Sequence, residues 1–175
     1  MSDPLCLSAA NQALAQLRAA TPSGAILPEQ QIVPGLRFVT DPEAGFEGRY
    51  DSPRGRLLEI EVTHRHEARW LGLHLDLGLA DLDGLGLIGL GASIAAPHAM
   101  AVRPCIRSGE EDTFRDAFFD KSIAALPRPL FHLDALLAEG RHPDLPQSAP
   151  WRELVLFLPT GDFRMALHDL RVFAA

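Results

Sequence analysis

The stretch RWLGLHLDLGL, residues 69–79, alternates leucine with small or polar residues without a break. Leucine occupies every odd position from 71 to 79, whereas the even positions include Trp70, His74 and Asp76. Because successive side chains of a strand point to opposite faces, this period of two predicts a β-strand with one buried and one polar face. The fold is therefore expected to rest on β-strands.

The same period extends outward from this stretch in both directions. RLLEIEVTH, residues 56–64, places Leu58, Ile60 and Val62 on one face. We expect GLIGLGASIAA and AMAVRPCIRSG to pair as a hairpin that turns near Pro97. The other predicted strands are GLRFVT, DTFRDAFFD, WRELVLFLP and FRMALHDLRVF, the last with a bulge near His168–Asp169.

Other segments are predicted to be helix or loop. Residues 8–19 favour a helix that Ser8 caps and that ends before Pro22. Residues 41–55 and 127–150 are rich in turn-forming residues and predict loops, the second with a helical turn or two in FHLDALLAEG. The apolar stripe of the helix consists of Ala10, Ala13, Leu14 and Leu17.

Eight or nine short strands that do not alternate with long helices favour an antiparallel sandwich over a parallel α/β fold. The predicted class is mostly β, an antiparallel β-sandwich of jelly-roll type with a short N-terminal helix. We expect one domain over residues 1–175. A helical, proline-rich segment covers residues 1–30 of it, and the β-sandwich covers residues 31–175.

Composition limits the classes of partner and the cellular compartments that are compatible with the sequence. A formal net charge of −7 argues against nucleic acid, since phosphate binding needs clustered positive charge. No apolar run is long enough for a membrane span, and the N-terminus lacks a signal-peptide pattern. Only Cys6 and Cys105 are present, so nothing demands a disulfide. These features predict a cytoplasmic protein that does not contact membranes.

The strands of the final third resemble those of galactose-binding-like domains and carbohydrate-binding modules, which are jelly-roll β-sandwiches. The resemblance rests on DTFRDAFFD, WRELVLFLP, the turn TGDF and FRMALHDLRVF, and is strongest over residues 112–175. RWLGLHLDLGL and the segment GLGASIAAPHAMAVRPCIRSG are compatible with its middle strands. The resemblance implies a sandwich fold and suggests a role in binding carbohydrate; it brings no catalytic motif.

Sugar recognition requires aromatic faces together with polar groups that fork onto hydroxyls. The sequence predicts such a site on loops, built from Tyr50, Arg65, His66 and Trp70. We expect Tyr50 to be exposed in its glycine-rich loop. Trp151, which follows Pro150, is expected to anchor the edge of the core.

His64 and His66 could hold a metal, because two residues apart on an extended chain they point the same way. The pair resembles the His-x-His of cupin barrels only in part, because Gly55 lies too far upstream. A third ligand would have to come from elsewhere, and no cofactor is therefore expected. Structural calcium at EEDTFRD stays open, although the segment lacks EF-hand spacing.

Two further groups could carry chemistry. Paired carboxylates at Glu59 and Glu61, with Asp76 and Glu153, could serve glycoside hydrolysis if they flanked a sugar. Polar residues on a solvent face predict the same pattern. Cys105 shares its strand face with Arg103 and Arg107, which could lower the pKa of its thiol, although a buried, inert cysteine is the commoner state.

Three functions remain open at this point. The first is a non-catalytic module that binds carbohydrate or a glycoconjugate, linked to polysaccharide assembly. The second is a metal-dependent, cupin-like barrel enzyme that uses His64 and His66. The third is a structural domain that docks a partner protein or a second copy of itself. The sequence favours the first and leaves open whether the protein is an enzyme.

Overall fold

The protein is a sandwich of two antiparallel β-sheets with one short helix, as predicted. The computed structural model describes residues 5–66, 68–138 and 142–175, without the side chains of Leu5 and Cys6. The side chain of Cys6, for which the sequence demands no disulfide, therefore lies outside the described part of the chain. The elements are β1 Leu5–Cys6, α1 Ser8–Ala20, β2 Ser23–Ala25, β3 Gln31–Val33, β4 Leu36–Thr40, β5 Phe46–Asp51, β6 Leu58–His64, β7 Leu71–Asp76, β8 Leu87–Ala95, β9 Met100–Gly109, β10 Phe114–Phe118, β11 Ile123–Ala125, β12 Leu130–Leu137, β13 Arg152–Phe157 and β14 Phe163–Ala174.

Each sheet contains seven of the described strands. Sheet I has the order β12-β8-β14-β6-β5-β2, with β1 beside β14. Sheet II has the order β10-β9-β13-β7-β4-β3, with β11 beside β9. The apolar faces of the strands meet between the two sheets. Ile60 and Val62 of β6 and Leu73 and Leu75 of β7 belong to the same core there. The predicted inward faces of both strands are confirmed.

The helix α1 packs its predicted apolar stripe against this core, and all four stripe residues are buried. It ends at Thr21, whose backbone is left-handed (φ 44°) and whose N–H donates to the Leu17 carbonyl. The predicted cap at Ser8 is wrong, because the residue before the helix is Leu7, which has no side-chain hydrogen-bonding group. No helix in the described ranges is long and apolar enough to cross a membrane.

Two segments predicted to be loop or helix are strands. Residues 46–51 pair with β6 along the whole of β5, and residues 130–137 pair with β8 along the whole of β12. Each strand is hydrogen-bonded along its whole length to a neighbouring strand. This pairing outweighs the local preference of the surrounding residues for turns. The helical turn predicted in FHLDALLAEG is therefore wrong.

Consecutive strands often lie in opposite sheets. The predicted hairpin of β8 and β9 is wrong, because β8 belongs to sheet I and β9 to sheet II. The chain crosses between the sheets at residues 96–99, and it crosses again between β13 and β14. The predicted bulge in β14 is confirmed, since its pairing with β8 shifts register between Leu167 and Asp169.

The strand of RWLGLHLDLGL, β7, is buried on both faces and not on one face only. In β7, Gly72 and His74 on the outer face are buried together with the leucines that face the core. Only Asp76, the last residue of the strand, is exposed. The outer face of sheet II is thus more enclosed than the alternation predicted.

Candidate functional site

The outer face of sheet II gathers aromatic, cationic and acidic side chains onto neighbouring strands. Strand register aligns Asp116, Arg107, Glu153 and Asp76 in one row across β10, β9, β13 and β7. Neighbouring strands lie about 4.8 Å apart, so side chains of such a row are in reach of each other. The face consists of Arg37, His74, Asp76, Arg103, Cys105, Arg107, Phe114, Asp116, Phe118, Trp151, Glu153, Val155 and Phe157.

A three-residue polar network forms the floor of this face. The His74 Nδ1 lies 2.8 Å from the Glu153 Oε2, and the Arg37 guanidinium lies 2.5 Å from the Glu153 Oε1. His74 and Glu153 are buried, whereas Arg37 is partly exposed. The ring of His74 occupies the space over Gly72, where a Cβ would lie 2.8 Å from its Nε2.

The charge state of Glu153 follows from this network. Burial alone would raise the pKa of its carboxyl, but hydrogen bonds and charge from His74 and Arg37 outweigh burial and hold the pKa below its usual value. Glu153 is therefore an anion at neutral pH. A general acid needs a raised pKa, so this carboxyl is suited to orienting a ligand and not to protonating one.

A second polar pair lies beside the aromatic rings. Arg107 makes two parallel hydrogen bonds of 2.7 Å to the Asp116 carboxylate. The same guanidinium stacks 3.7 Å from the centroid of Phe114 and 5.7 Å from that of Phe157. Phe157 in turn stacks on Phe118 at 5.8 Å between centroids. Cation and rings thus form one continuous surface.

The aromatic rim ends at Trp151, which is 40% exposed. Its indole packs over Gly109, where a Cβ would collide with the Nε1. Gly109 is also the register partner of Phe114, which is 48% exposed. Trp151, which directly precedes β13, and Phe114 of β10 therefore flank the same glycine of β9 and form an aromatic rim beside the polar floor.

Cys105 lies within this face and is inaccessible. It does share its strand face with Arg103 and Arg107, as predicted, but burial raises the pKa of its thiol. Asp116 adds to this effect, and the two arginines only oppose it. The cysteine is a free, inert thiol and no nucleophile.

A cleft with a volume of about 960 Å³ lies on the opposite sheet. Its walls carry ion pairs along the outer face of sheet I, in which Glu61 binds both Arg49 and Arg164. The lining includes Tyr50, but that residue is in the core and only 7% exposed. The described lining offers no exposed aromatic ring, which distinguishes the cleft from the outer face of sheet II.

The predicted loop site is not assembled. Tyr50 points into the sandwich and contacts Phe38 at 5.8 Å between ring centroids, because its parity on β5 matches that of buried Ile60 on β6. The expectation of an exposed Tyr50 is therefore wrong. Arg65, His66 and Trp70 do share the β6–β7 loop, and their contact with a ligand stays a prediction.

An ion pair holds that loop in place. Asp41 accepts hydrogen bonds from the backbone N–H of Arg69 and from two nitrogens of its guanidinium, at 2.9–3.0 Å. The hydrogen bonds to Arg69 hold the pKa of Asp41 well below its usual range. Arg65 pairs with Glu47, and the His66 N–H donates to the Ala44 carbonyl. The arginines of HRHEARW thus bind acidic side chains of the neighbouring turn and strand.

His64 and His66 do not form a pair. His64 keeps the inward parity of β6, with its ring 5.7 Å from that of Phe46. His66 is exposed in the turn beside Gly45. Among the described residues, which exclude Glu67, no three His, Cys, Asp or Glu side chains lie close enough to hold a metal ion. The expected alignment of the two imidazoles is therefore wrong.

The candidate carboxylates do not converge on one site. Glu59 and Glu61 lie on the outer face of sheet I, whereas Asp76 and Glu153 lie on the outer face of sheet II. The core separates the two pairs. Sequence parity placed Glu59 and Glu61 on one strand face but could not tell which sheet each strand joins.

The residues missed by the sequence prediction are His74, Arg107, Trp151 and Glu153 as members of one face. Trp151, expected to anchor the core edge, is a rim residue instead. One signal was available, since Trp151 and Glu153 share parity with Phe157. It was weak, because β13 is apolar on both parities and its outward side cannot be identified from sequence alone.

Comparison with solved structures identifies the fold. A family 4 carbohydrate-binding module matches with a TM-score of 0.57 and 18% identity, over 81% of this chain and 96% of that one. The family 11 module of the cellulosomal cellulase Lic26A-Cel5E of Clostridium thermocellum matches at 0.55 and 13%, over 87% and 95%. A cyclase from Fischerella sp. TAU matches at 0.52 and 13%, over 88% and 98%.

Neither a protein-family model nor a curated protein sequence matches the chain. At these identities the structural matches show the architecture alone, and both binding modules and a cyclase share it. The protein has the jelly-roll β-sandwich fold of carbohydrate-binding modules.

Proposed function

We propose that the protein is a non-catalytic carbohydrate-binding module and that its glycan site is the outer face of sheet II. The observation that carries the proposal is the combination of an exposed aromatic rim with a paired and largely buried polar floor on adjacent strands. The apolar C–H faces of sugars stack on aromatic rings, and the hydroxyl groups at the edges of sugars form hydrogen bonds with charged side chains.

The floor is suited to binding because its geometry is set before a ligand arrives. Glu153 is held by His74 and Arg37, and Asp116 is held by Arg107. A pre-organised site loses little side-chain entropy on binding. The carboxylates keep free lone pairs that can accept from sugar hydroxyls.

The cleft on sheet I is the competing location. Its charged groups already neutralise each other in pairs, as Arg56 does with Glu59 and Arg164 with Glu61. The charged groups of sheet II are paired as well, so the two faces differ in their rings: the described lining of the cleft offers a glycan no exposed aromatic ring on which to stack. The two faces therefore make different predictions for mutagenesis.

Structural neighbours guide the choice of probes. One matched structure is a xylan-binding domain from Paenibacillus barcinonensis Xyn10C, and another is a family 11 module in complex with a β-1,3-1,4-mixed-linked tetrasaccharide. The test is calorimetric titration of the full chain with a panel that includes xylan and mixed-linked glucan oligosaccharides. Trp151→Ala should weaken the best interaction at least about tenfold, as truncation of an aromatic anchor that is covered on binding typically does.

The matched control is Arg164→Ala, which alters the cleft on sheet I and leaves sheet II intact. It should change affinity by less than about twofold, since it removes no contact to the proposed site. Loss of binding in Arg164→Ala with retention in Trp151→Ala would move the site to the cleft. A folded protein that binds no glycan of the panel would contradict the function itself.

A link to polysaccharide assembly and a cytoplasmic location remain predictions from the sequence. The Fischerella cyclase supplies the alternative of an enzyme on the same architecture. The lowered pKa of Glu153 argues against this residue as the general acid of an enzymatic reaction on the outer face of sheet II. Structural calcium and the metal hypothesis are tested by repeating the titration in EDTA, in which we expect unchanged affinity.

A further inference from the structure

Strand β12 is an edge of sheet I and carries an unusually apolar surface. Phe131 is 65% exposed and Leu133 is 60% exposed, and Leu137 continues the same face. The neighbouring strand contributes no bulk there, because Gly91 lies beneath the Phe131 ring. A long apolar edge strand without outward charges on this face is a template for pairing with another chain.

The hydrogen-bonding side of the edge can be identified. The register of β12 with β8 continues into a hydrogen bond from the Ala138 N–H to the Gly86 carbonyl. Residues of even number therefore bond to β8, and those of odd number direct N–H and C=O groups away from the sheet. The Ala135 N–H accordingly points away from β8 and donates to the Asp134 carboxylate, which also accepts from the Lys121 N–H. Pairing of this edge with another strand replaces the first of these two hydrogen bonds.

The sequence of β12 favours one self-pairing register. In a two-fold antiparallel pair centred on His132 or on Asp134, like residues face each other across the axis. Centring on Leu133 instead sets His132 opposite Asp134 of the second copy, twice. Like charges directly opposite each other destabilise a strand pair, so this register avoids the facing Asp134 carboxylates that centring on Asp134 would create.

Packing in that register is also complementary. Phe131 lies opposite Ala135 of the second copy, which leaves room for the ring, and Leu133 meets its own copy on the axis.

We propose that two copies of this chain form a dimer by antiparallel pairing of β12, with the two-fold axis at Leu133. The pairing joins two copies of sheet I into one continuous sheet and uses the same patch on both subunits, as a closed dimer requires. It leaves the outer face of sheet II open, so the proposal does not depend on carbohydrate binding.

The oligomeric state is tested by sedimentation velocity of the full chain over roughly 1 to 200 µM, the range of moderate self-association. We expect a species of twice the chain mass. Leu133→Asp places two carboxylates on the axis and should raise the dissociation constant at least about 30-fold. Leu27→Asp, at another exposed leucine, is the control and should leave the dimer intact.

A monomer throughout this range would overturn the proposal, as would equal dissociation in both variants. Cysteine cross-linking tests the register separately and does not depend on the folding of Leu133→Asp. In a Cys6→Ser background, Leu133→Cys should form an intermolecular disulfide under mild oxidation. The paired Cα atoms would lie about 5.5 Å apart, within disulfide geometry.

The matched control for the register is Ala135→Cys. In the proposed register its two copies are displaced by four residues along the strand, about 13 Å, and should not cross-link. Cross-linking at position 135 and not at 133 would contradict the register. Buried Cys105 is inaccessible and does not compete.

Discussion

Glu153 is a buried carboxylate whose charge depends on two neighbours, His74 and Arg37. Because its pKa is lowered in the folded state, the folded protein binds fewer protons than the unfolded chain near pH 4.5, the ordinary value for this group. The stability that Glu153 contributes is thus present above that pH. It is lost as pH falls through the lower, folded-state pKa.

We predict that Glu153→Gln lowers the free energy of unfolding by roughly 1–3 kcal/mol at pH 7, since it removes charge from buried, charge-assisted hydrogen bonds. The difference from the wild type should shrink as pH falls below about 4. Urea unfolding between pH 3 and 7 measures it. Glu111→Gln, at an exposed glutamate, serves as the control. A difference that is constant with pH would contradict the assigned charge state.

At the residue scale, sequence identified the chemistry of Glu153 but not its neighbours. Its residue type made it a candidate carboxylate, but nothing in the sequence pairs it with His74, which lies 79 positions away. The pairing follows from the register of β13 on β7, which is fixed by the packing of the whole sheet. The prediction that Tyr50 is exposed failed for a related reason, since the expected loop is strand β5, which directs the ring into the core.

The β6–β7 loop shows how one ion pair can order an element. Asp41 binds the backbone and the guanidinium of Arg69, so that the turn after β4 anchors the loop that carries His66 and Trp70. We predict that Asp41→Asn loosens this loop and leaves the sandwich intact. Limited trypsin digestion should then cleave faster after Arg65 and Arg69, because proteolysis follows local opening.

The control for the loop is Glu43→Gln, whose carboxylate is more exposed than that of Asp41 and contacts Arg69 at 3.2 Å. It should alter the cleavage rate little, since exposed ion pairs contribute little. Equal digestion of Asp41→Asn and the wild type would contradict an ordering role for this pair.

Arg152 connects β13 to two loops at one end of sheet II. Its buried guanidinium donates to the Ser108 hydroxyl and to the carbonyls of Ala80, Pro146 and Gln147, at 2.7–3.2 Å. We predict that Arg152→Met lowers the free energy of unfolding by roughly 3–5 kcal/mol, because it leaves buried carbonyls without donors. Urea unfolding measures this loss.

Arg54→Met, at an exposed arginine, should stay within about 0.5 kcal/mol of the wild type. A loss of less than about 1 kcal/mol in Arg152→Met would show that water or other donors replace the guanidinium.

At the element scale, the sequence predicted the strands in which apolar residues recur with a period of two over most of the length. These include β4, β6, β7, β10 and β14, together with the helix α1. It failed where tertiary pairing overrides local preference, as in β5 and β12. It also failed at residues 96–99, where the chain changes sheets, because a turn there is compatible with a hairpin as well as with a crossover.

At the scale of the whole molecule, the sandwich presents two outer faces of different character. The outer face of sheet I carries exposed ion pairs and, at its β12 edge, apolar side chains. The outer face of sheet II carries a paired polar floor with an aromatic rim. The sequence predicted the sandwich but not this division, since the sheet to which each strand belongs is a property of the complete topology.

The most direct measurement follows the indole N–H signals of the two tryptophans by NMR while the glycan panel is titrated. Trp151 lies on the rim of sheet II and Trp70 in the β6–β7 loop, so each reports one candidate site. A shift of the Trp151 signal with little change at Trp70 is the predicted result. A shift at Trp70 alone, or no shift at either indole with any glycan, would contradict a carbohydrate site on the outer face of sheet II.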